Sequence, residues 1–236
     1  MTDNAPDPTT GWRQAARVFD ERAGEYDRWF EGGRLLFEIE LAALRKIRTP
    51  LPEPRLEVGV GPGRFAEALG LSLGLDPAGA ALKLAGNRGV QVCQGVAEAL
   101  PVKDHILGTV FMLFTLCFLA EPRQALVEAH RVLQDKGCLV LGMVPAAGAW
   151  GLALAAKKAR KHPFYEHARF YEVALVTEWL TAAGFEIREV ICSLFQPPSG
   201  LIEMEQPRPG FDGRAGFAVL VARRRGPRST VQETNK

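Results

Sequence analysis

Between Trp12 and Arg48 apolar residues recur at mostly three- and four-residue steps, through Phe19, Tyr26, Trp29, Phe30, Leu35, Leu36, Ile39 and Leu44. This spacing predicts amphipathic helix, broken in two at Gly32-Gly33. Thr49 to Pro54 then carries three prolines. Each removes an amide donor and biases its predecessor to extended backbone, so the segment reads as a linker. From Arg55 the pattern changes to short apolar runs at Arg55–Val60, Leu71–Leu75, Val90–Gln94, Thr109–Phe114 and Gly137–Val144, with helical stretches near Arg64–Leu69, Ala78–Ala85 and Arg123–Leu133 between them. That alternation predicts right-handed βαβ units on a parallel sheet. Beyond Pro145 the pattern predicts helices at Ala149–Lys161 and Val173–Ala183, then a long antiparallel pair of strands at Phe185–Phe195 and Phe217–Arg223, placed at the sheet edge. Gly226 to Lys236 is polar, without an apolar face, and reads as a disordered tail. The expected organisation is one α/β domain over 1–236, with an N-terminal helical lid at 12–48 and a core at 55–224.

Composition narrows the function. Hydrophobic residues make up 47% and charged residues 24%, which excludes disordered and collagen-like classes. The 29 Lys+Arg against 27 Asp+Glu leave a net charge of +2, which argues against nucleic acid or an acidic membrane as partner. The four cysteines are scattered, with neither a Cys-x-x-Cys pair nor histidines at ligand spacing, so no metal site is expected. The first dozen residues lack a secretory apolar core, and the run Ile106–Ala120 is shorter than the ~20 residues needed to span a bilayer. The expected location is cytoplasmic.

The densest chemistry lies in Leu56-Glu57-Val58-Gly59-Val60-Gly61-Pro62-Gly63-Arg64-Phe65-Ala66, which leaves a strand and opens a helix. Glycines let backbone approach a ligand closely, and the helix start offers unpaired amides, so such a turn is a nucleotide-binding element. Gly61 to Ala66 fits the G-x-G-x-x-A form of a dinucleotide loop, leaving a nicotinamide-dependent oxidoreductase as an alternative. However, Glu57 two residues before Gly59 would repel a pyrophosphate and attract an ammonium group. No G-K-[ST] follows, which excludes a P-loop. Asp76, at the end of the next strand, can accept hydrogen bonds from both hydroxyls of a ribose, or can simply cap the helix behind it.

In order, Leu56–Gly63, Asp76, Gly95–Pro101 and Glu128–Leu133 resemble the motif series of class I S-adenosylmethionine-dependent methyltransferases, especially their small-molecule branch. The resemblance spans roughly Phe19 to Arg223. It implies a Rossmann-like three-layer sandwich whose sheet has seven mostly parallel strands, the last inserted antiparallel, and S-adenosylmethionine as cofactor. Glu57, Gly59, Gly61, Gly63, Asp76, Pro77, Ala97, Glu98 and Thr115 are then the implied cofactor-binding residues. Val96 stands where members usually carry an Asp, Leu107-Gly108 replaces a usual Phe-Asp, and Cys117-Phe118 replaces a frequent histidine pair. These departures keep a non-catalytic, adenosyl-ligand-binding or regulatory role open.

Three places are candidates for the acceptor side: Tyr26-Asp27 in the lid, Cys117-Phe118 after the fourth strand, and Phe164–Tyr171 with Tyr165, His167 and Arg169. Tyr26 and His167 are the candidate catalytic groups. Methyl transfer needs proximity more than a strong base, so a site without an obvious base favours a small acceptor that is already nucleophilic, such as a thiolate, a soft metalloid or a phenolate.

Overall fold

The computed structural model describes residues 11–226. The stretch up to Thr10 and the expected disordered tail after Gly226 lie outside the described residues. Three helices come first: α1 (Gly11–Glu21), α2 (Ala23–Gly32) and α3 (Arg34–Arg45). The core follows as β1 (Arg55–Val58), α4 (Arg64–Leu69), β2 (Leu73–Asp76), α5 (Gly79–Asn87), β3 (Gln91–Gln94), β4 (Leu107–Leu113), α6 (Pro122–Val132), β5 (Leu133–Met143), α7 (Ala149–Ala159), α8 (Val173–Ala182), β6 (Phe185–Ser193), β7 (Arg208–Pro209) and β8 (Phe217–Arg224).

The strands form one sheet in the order β3-β2-β1-β4-β5-β8-β6-β7. Pairs from β3 to β5 are parallel. β8 lies antiparallel between β5 and β6, so the final pair is the long antiparallel pair expected at this end of the sheet, with its last strand inserted next to β5. The sheet has eight strands where seven were expected. The extra one, β7, is two residues long and pairs with Ile191 and Cys192 as the 194–216 connection folds back, and so short a bridge carries no period in the sequence.

Every residue of β4 is buried, as a central strand covered on both faces demands. Alternate side chains supply two cores. Val110, Met112, Leu139 and Leu141 pack with α6 and α8, while Phe111, Leu113 and Val140 pack with Ile39, Leu41 and Leu44 of α3 and with Phe65 of α4. Chain order reverses between β1 and β4, which opens a crevice at the carboxyl ends of these strands. The helical lid has a break that sequence reading missed, at Arg22, whose non-helical φ of −120° separates α1 from α2. No described helix is long and apolar enough to cross a membrane.

Gly63 joins the first turn to the second layer. Its φ is +83°, and a Cβ there would sit 2.9 Å from the Cα of Ala85 in α5. Gly63→Ala is therefore expected to lower the unfolding free energy by about 1–3 kcal/mol, through left-handed strain and overpacking. Chemical denaturation of the two proteins measures this.

Candidate functional site

The first turn is built by close approach. Gly59 N and Val60 N both donate to Leu75 O, at 2.7 and 3.1 Å, which ties the loop to β2. A Cβ on Gly59, where φ is +77°, would stand 2.3 Å from Thr115 Oγ1. The Thr115 hydroxyl has Val58 O at 3.0 Å and Leu113 O at 3.1 Å as acceptors, so it stitches β1 to the exit of β4. Just before it, Phe114 adopts a left-handed φ of 57°, an outlier of the kind that clusters at ligand sites.

Asp76 holds the other side of the turn. Its Oδ2 accepts Gly61 N at 2.9 Å and its Oδ1 accepts Ala78 N at 2.8 Å. Asp76 thus ties the glycine turn to the residue that precedes α5, a helix with no side-chain cap of its own. Each oxygen is held by one backbone amide and keeps further acceptor capacity, and Asp76 lines the crevice. Burial is the largest influence on Asp76 and pushes its pKa up, with the amides of Ala78 and Gly61 opposing.

The crevice, of about 110 Å³, is lined by Glu57, Gly59, Gly61, Asp76, Pro77, Ala97, Glu98 and Thr115. Gly63 is the exception among the expected cofactor residues. It does not line the crevice, because its bare face is spent on Ala85. Above Gly61 the nearest atom to a virtual Cβ is Tyr26 Cε1, 3.7 Å away. Glu57 is 2% exposed, and its Oε2 has no hydrogen-bond partner. Burial, then the neighbouring Asp76, pushes its pKa well above the carboxylate range. The Ala66 backbone amide opposes this rise, and the remaining buried oxygen without a partner can be completed by a cationic or hydrogen-donating ligand group. Glu98 is tied down instead: its Oε1 accepts Ala120 N at 3.0 Å and Glu121 N at 3.2 Å, which fixes the chain leading into α6.

The lid is clamped to the loop by charge. Asp27 of α2 takes Arg64 Nε at 2.6 Å and Arg88 Nη2 at 2.9 and 3.0 Å, while Arg88 Nη1 donates to Pro62 O at 2.8 Å. All three side chains are at most 22% exposed, so solvent screens the clamp only in part. Burial would raise the pKa of Asp27, but the hydrogen bonds from Arg64 and Arg88 outweigh it and hold the acid below its ordinary value. Asp20 adds a tether by accepting Ala80 N at 2.7 Å.

A second cavity of about 780 Å³ adjoins the crevice. The two share a wall of Phe19, Tyr26, Phe30, Phe65, Phe114 and Phe118. The Phe19 ring packs edge to face on Tyr26 and Phe118 at centroid distances of 5.1 and 5.0 Å, and Phe164 lies tilted 5.4 Å from Tyr26, so lid and core interlock through aromatic contacts. Tyr26, Cys117, Phe118 and Tyr165 all line this cavity. Desolvation raises the Tyr26 phenol strongly and pushes Tyr165 up to about 12. The Cys117 thiol faces Phe114 O at 3.2 Å and is pushed up to about 12 by burial, so it stays protonated at neutral pH and is a poor soft-metal ligand there.

Two expected residues fall elsewhere. His167 is exposed and lines neither cavity. Turn hydrogen bonds from Tyr165 N and Glu166 N to His162 O, with Ala168 buried, leave His162 and Tyr165 facing inward while His167 faces out. Arg169 donates from Nη2 to Leu119 O and Ala120 O, each at 2.8 Å, and so braces the turn carrying Cys117 and Phe118 rather than lining the cavity. Sequence reading missed His162, Trp150 and Glu40, all of which line the cavity. For Glu40 a signal existed: it stands four residues from both Leu36 and Leu44, an acid on an apolar helical stripe. Among the described residues, no group of three His, Cys, Asp or Glu side chains gathers as a metal site.

A family model described as a methyltransferase domain matches residues 56–141. An uncharacterised protein of Mycobacterium tuberculosis is 38% identical over 230 residues, covering 92% of this chain and 81% of its own length. One from Methanocaldococcus jannaschii is 32% identical over 206 residues, covering 87% and 98%. Among solved structures, a Thermotoga maritima protein described as a SAM-dependent methyltransferase, possible histamine N-methyltransferase, superposes with a TM-score of 0.83. It is 34% identical, and the match covers 89% of this chain and 100% of that one.

The clamp sets a pH dependence. Since the folded-state pKa of Asp27 is depressed, its stabilisation is complete above about pH 4, the ordinary Asp value, and is lost as pH falls through the lower folded value. Asp27→Asn is expected to cost about 1–3 kcal/mol near neutrality. The gap to the unsubstituted protein should narrow only below about pH 4, as read by denaturant unfolding across a pH series.

Proposed function

The chain belongs to the S-adenosylmethionine-dependent methyltransferases, and from that premise we propose that it is an enzyme that transfers a methyl group from S-adenosylmethionine to a small-molecule acceptor. The observation that carries this reading is the pair of abutting cavities with one aromatic wall, a crevice over the glycine loop lined by Glu57 and Asp76 and a larger chamber beside it.

The residues present fit an adenosyl amino acid. The orphaned Glu57 Oε2 suits an ammonium group, directly or through water, and the free lone pairs of Asp76 suit the ribose hydroxyls. The open face of Gly61 leaves room for a close approach, and Pro77, Ala97 and Glu98 form the far side, where adenine would lie. When bound, the cofactor supplies an activated sulfonium methyl, so the chemistry asks chiefly for alignment and a dry path. Thr115 and Phe114 fix the floor between the cavities, and Phe19, Tyr26 and Phe118 exclude water from it. The crevice is smaller than the roughly 300 Å³ at the low end of ligand pockets, whereas the chamber lies within the small-molecule range. Residues of α1 and α2 line the crevice, and the Asp27 clamp holds α2 over the glycine loop. Glu57 beside the loop speaks against the dinucleotide alternative.

Calorimetric titration with S-adenosylmethionine tests the reading. Asp76→Ala is expected to weaken binding by about 10- to 100-fold, the range for losing one charge-assisted hydrogen bond. Gly61→Val should do worse, because a branched side chain would fill the open face of the loop and meet Tyr26. Adenosylhomocysteine release across thiols, metalloids, phenols, amines and oligonucleotides then assigns the acceptor class. Turnover confined to oligonucleotides, or no affinity for S-adenosylmethionine, would sink the proposal.

A further inference from the structure

Glu40 is the buried acid that the functional account leaves unused. It lies in the middle of α3, is 5% exposed, and lines the 780 Å³ chamber. Its carboxylate has no hydrogen bond and no ion pair among the described residues. The charged side chains nearest in kind, Glu25, Arg28 and Lys157, are exposed at the rim of the same chamber. A carboxyl in such a place costs folding free energy, because desolvation is not offset by any partner. Burial accordingly pushes its pKa well above the ordinary range. The hydrophobic side of α3 would be better packed by a leucine at this position, so the fold does not require an acid there.

The walls around it are unusual in a second respect. The chain has three tyrosines, and all of them, Tyr26, Tyr165 and Tyr171, line this chamber, with Trp29, Trp150 and Phe30. Aromatic faces attract cations, most strongly once water is removed, and phenols hydrogen-bond at the ring edge. An anionic acceptor would meet an unpaired carboxyl and negative ring faces. A neutral apolar acceptor would leave the carboxyl as isolated as before. An ammonium group answers both features at once, because it supplies the missing hydrogen-bond donors for Glu40 and stabilises its ionised form.

We propose that Glu40 is the specificity-determining residue of the acceptor chamber, which takes an organic amine carrying an aromatic or otherwise apolar body, its ammonium group hydrogen-bonded to the Glu40 carboxylate. This rests on the methyltransferase reading only in treating the chamber as the acceptor side. It also bears on the expectation of an already nucleophilic acceptor in a site without an obvious base, since Glu40 and His162 line the chamber.

Full-length protein, with and without bound adenosylhomocysteine, is titrated calorimetrically with phenethylamine and tryptamine, and with the alcohols that replace each amine by a hydroxyl. Glu40→Gln and Glu40→Leu are titrated alongside. The unsubstituted protein is expected to bind each amine about 10- to 100-fold more tightly than its alcohol, and both variants should lose that margin while keeping their adenosylhomocysteine affinity. Glu40→Leu, which removes a desolvated carboxyl, should match or exceed the thermal stability of the parent, so its loss of amine binding would not reflect misfolding. Equal affinity for amine and alcohol, unchanged amine affinity in Glu40→Gln, or failure of the parent to bind either amine would overturn the proposal. Absence of adenosylhomocysteine binding would instead overturn the methyltransferase reading, and the titrations of the cofactor-free protein would still decide the role of Glu40.

Discussion

One carboxylate organises the ligand-facing end of the sheet. Asp76, at the tip of β2, holds Gly61 N with one oxygen and Ala78 N with the other, so the turn after β1 and the start of α5 are positioned from a single side chain. Hydrogen bonds to an ionised acceptor are each worth about 1.5–3 kcal/mol, roughly twice their neutral counterparts. The turn is also supported from beneath, where Val60 is buried in the core cluster with Phe65. Gly59 completes it from below, where contact with Thr115 leaves no room for a Cβ and brings the exit of β4 to the floor of the crevice. The crevice follows from these two constraints acting at the point where strand order reverses.

The lid depends on that turn rather than the reverse. Arg88 of the segment after α5 reaches both Pro62 O in the turn and Asp27 in α2, while Arg64 at the start of α4 meets the same acid. Moving the turn would separate the partners of the clamp. Beside this ionic clamp, Phe30 of α2 is buried in the cluster that α3 makes with the sheet and packs on Phe37 and Phe65, so α2 is anchored by apolar contact as well as by charge. The aromatic wall is shared between lid and core in the same way. Phe19 and Tyr26 come from the lid, Phe118 from the turn after β4 and Phe164 from the loop before α8. A single motion of the lid would thus alter the crevice and the chamber together, as suits a reaction that needs its two ligands aligned and dry.

Charge is distributed with the same economy. Groups that organise the site, Asp76, Glu98 and Asp27, have their oxygens engaged by backbone amides or guanidinium groups. Among the described residues, Glu57 and Glu40 are buried carboxyls with unmet hydrogen-bonding capacity, one in each cavity. Partnered acids stabilise the fold, whereas unpartnered ones cost it stability and are understandable where a ligand completes them.

Local pattern was enough for the architecture. The change from helical spacing to short apolar runs at Arg55, and the glycine loop lying between a strand and a helix, specified parallel βαβ units and the place of the crevice, because both are properties of a few adjacent residues. α4 spans Arg64–Leu69 as its pattern predicted, since the glycine before it and the glycine after it stop the helix from either side. Side-chain direction after Pro145 required the tertiary structure. Whether His162 or His167 faces inward depends on turns between α7 and α8 that have no period, and the guanidinium of Arg169 was drawn to backbone carbonyls nearly fifty residues away in sequence. Gly63 and Glu40 show the same division from opposite directions. Each stands in a pattern visible in the sequence, but only the packing of distant elements decides that Gly63 faces Ala85 and that Glu40 faces a chamber. Burial is a sum over neighbours from the whole chain, so a residue's type and spacing can nominate it for a site, while its partners are assigned only when the layers close.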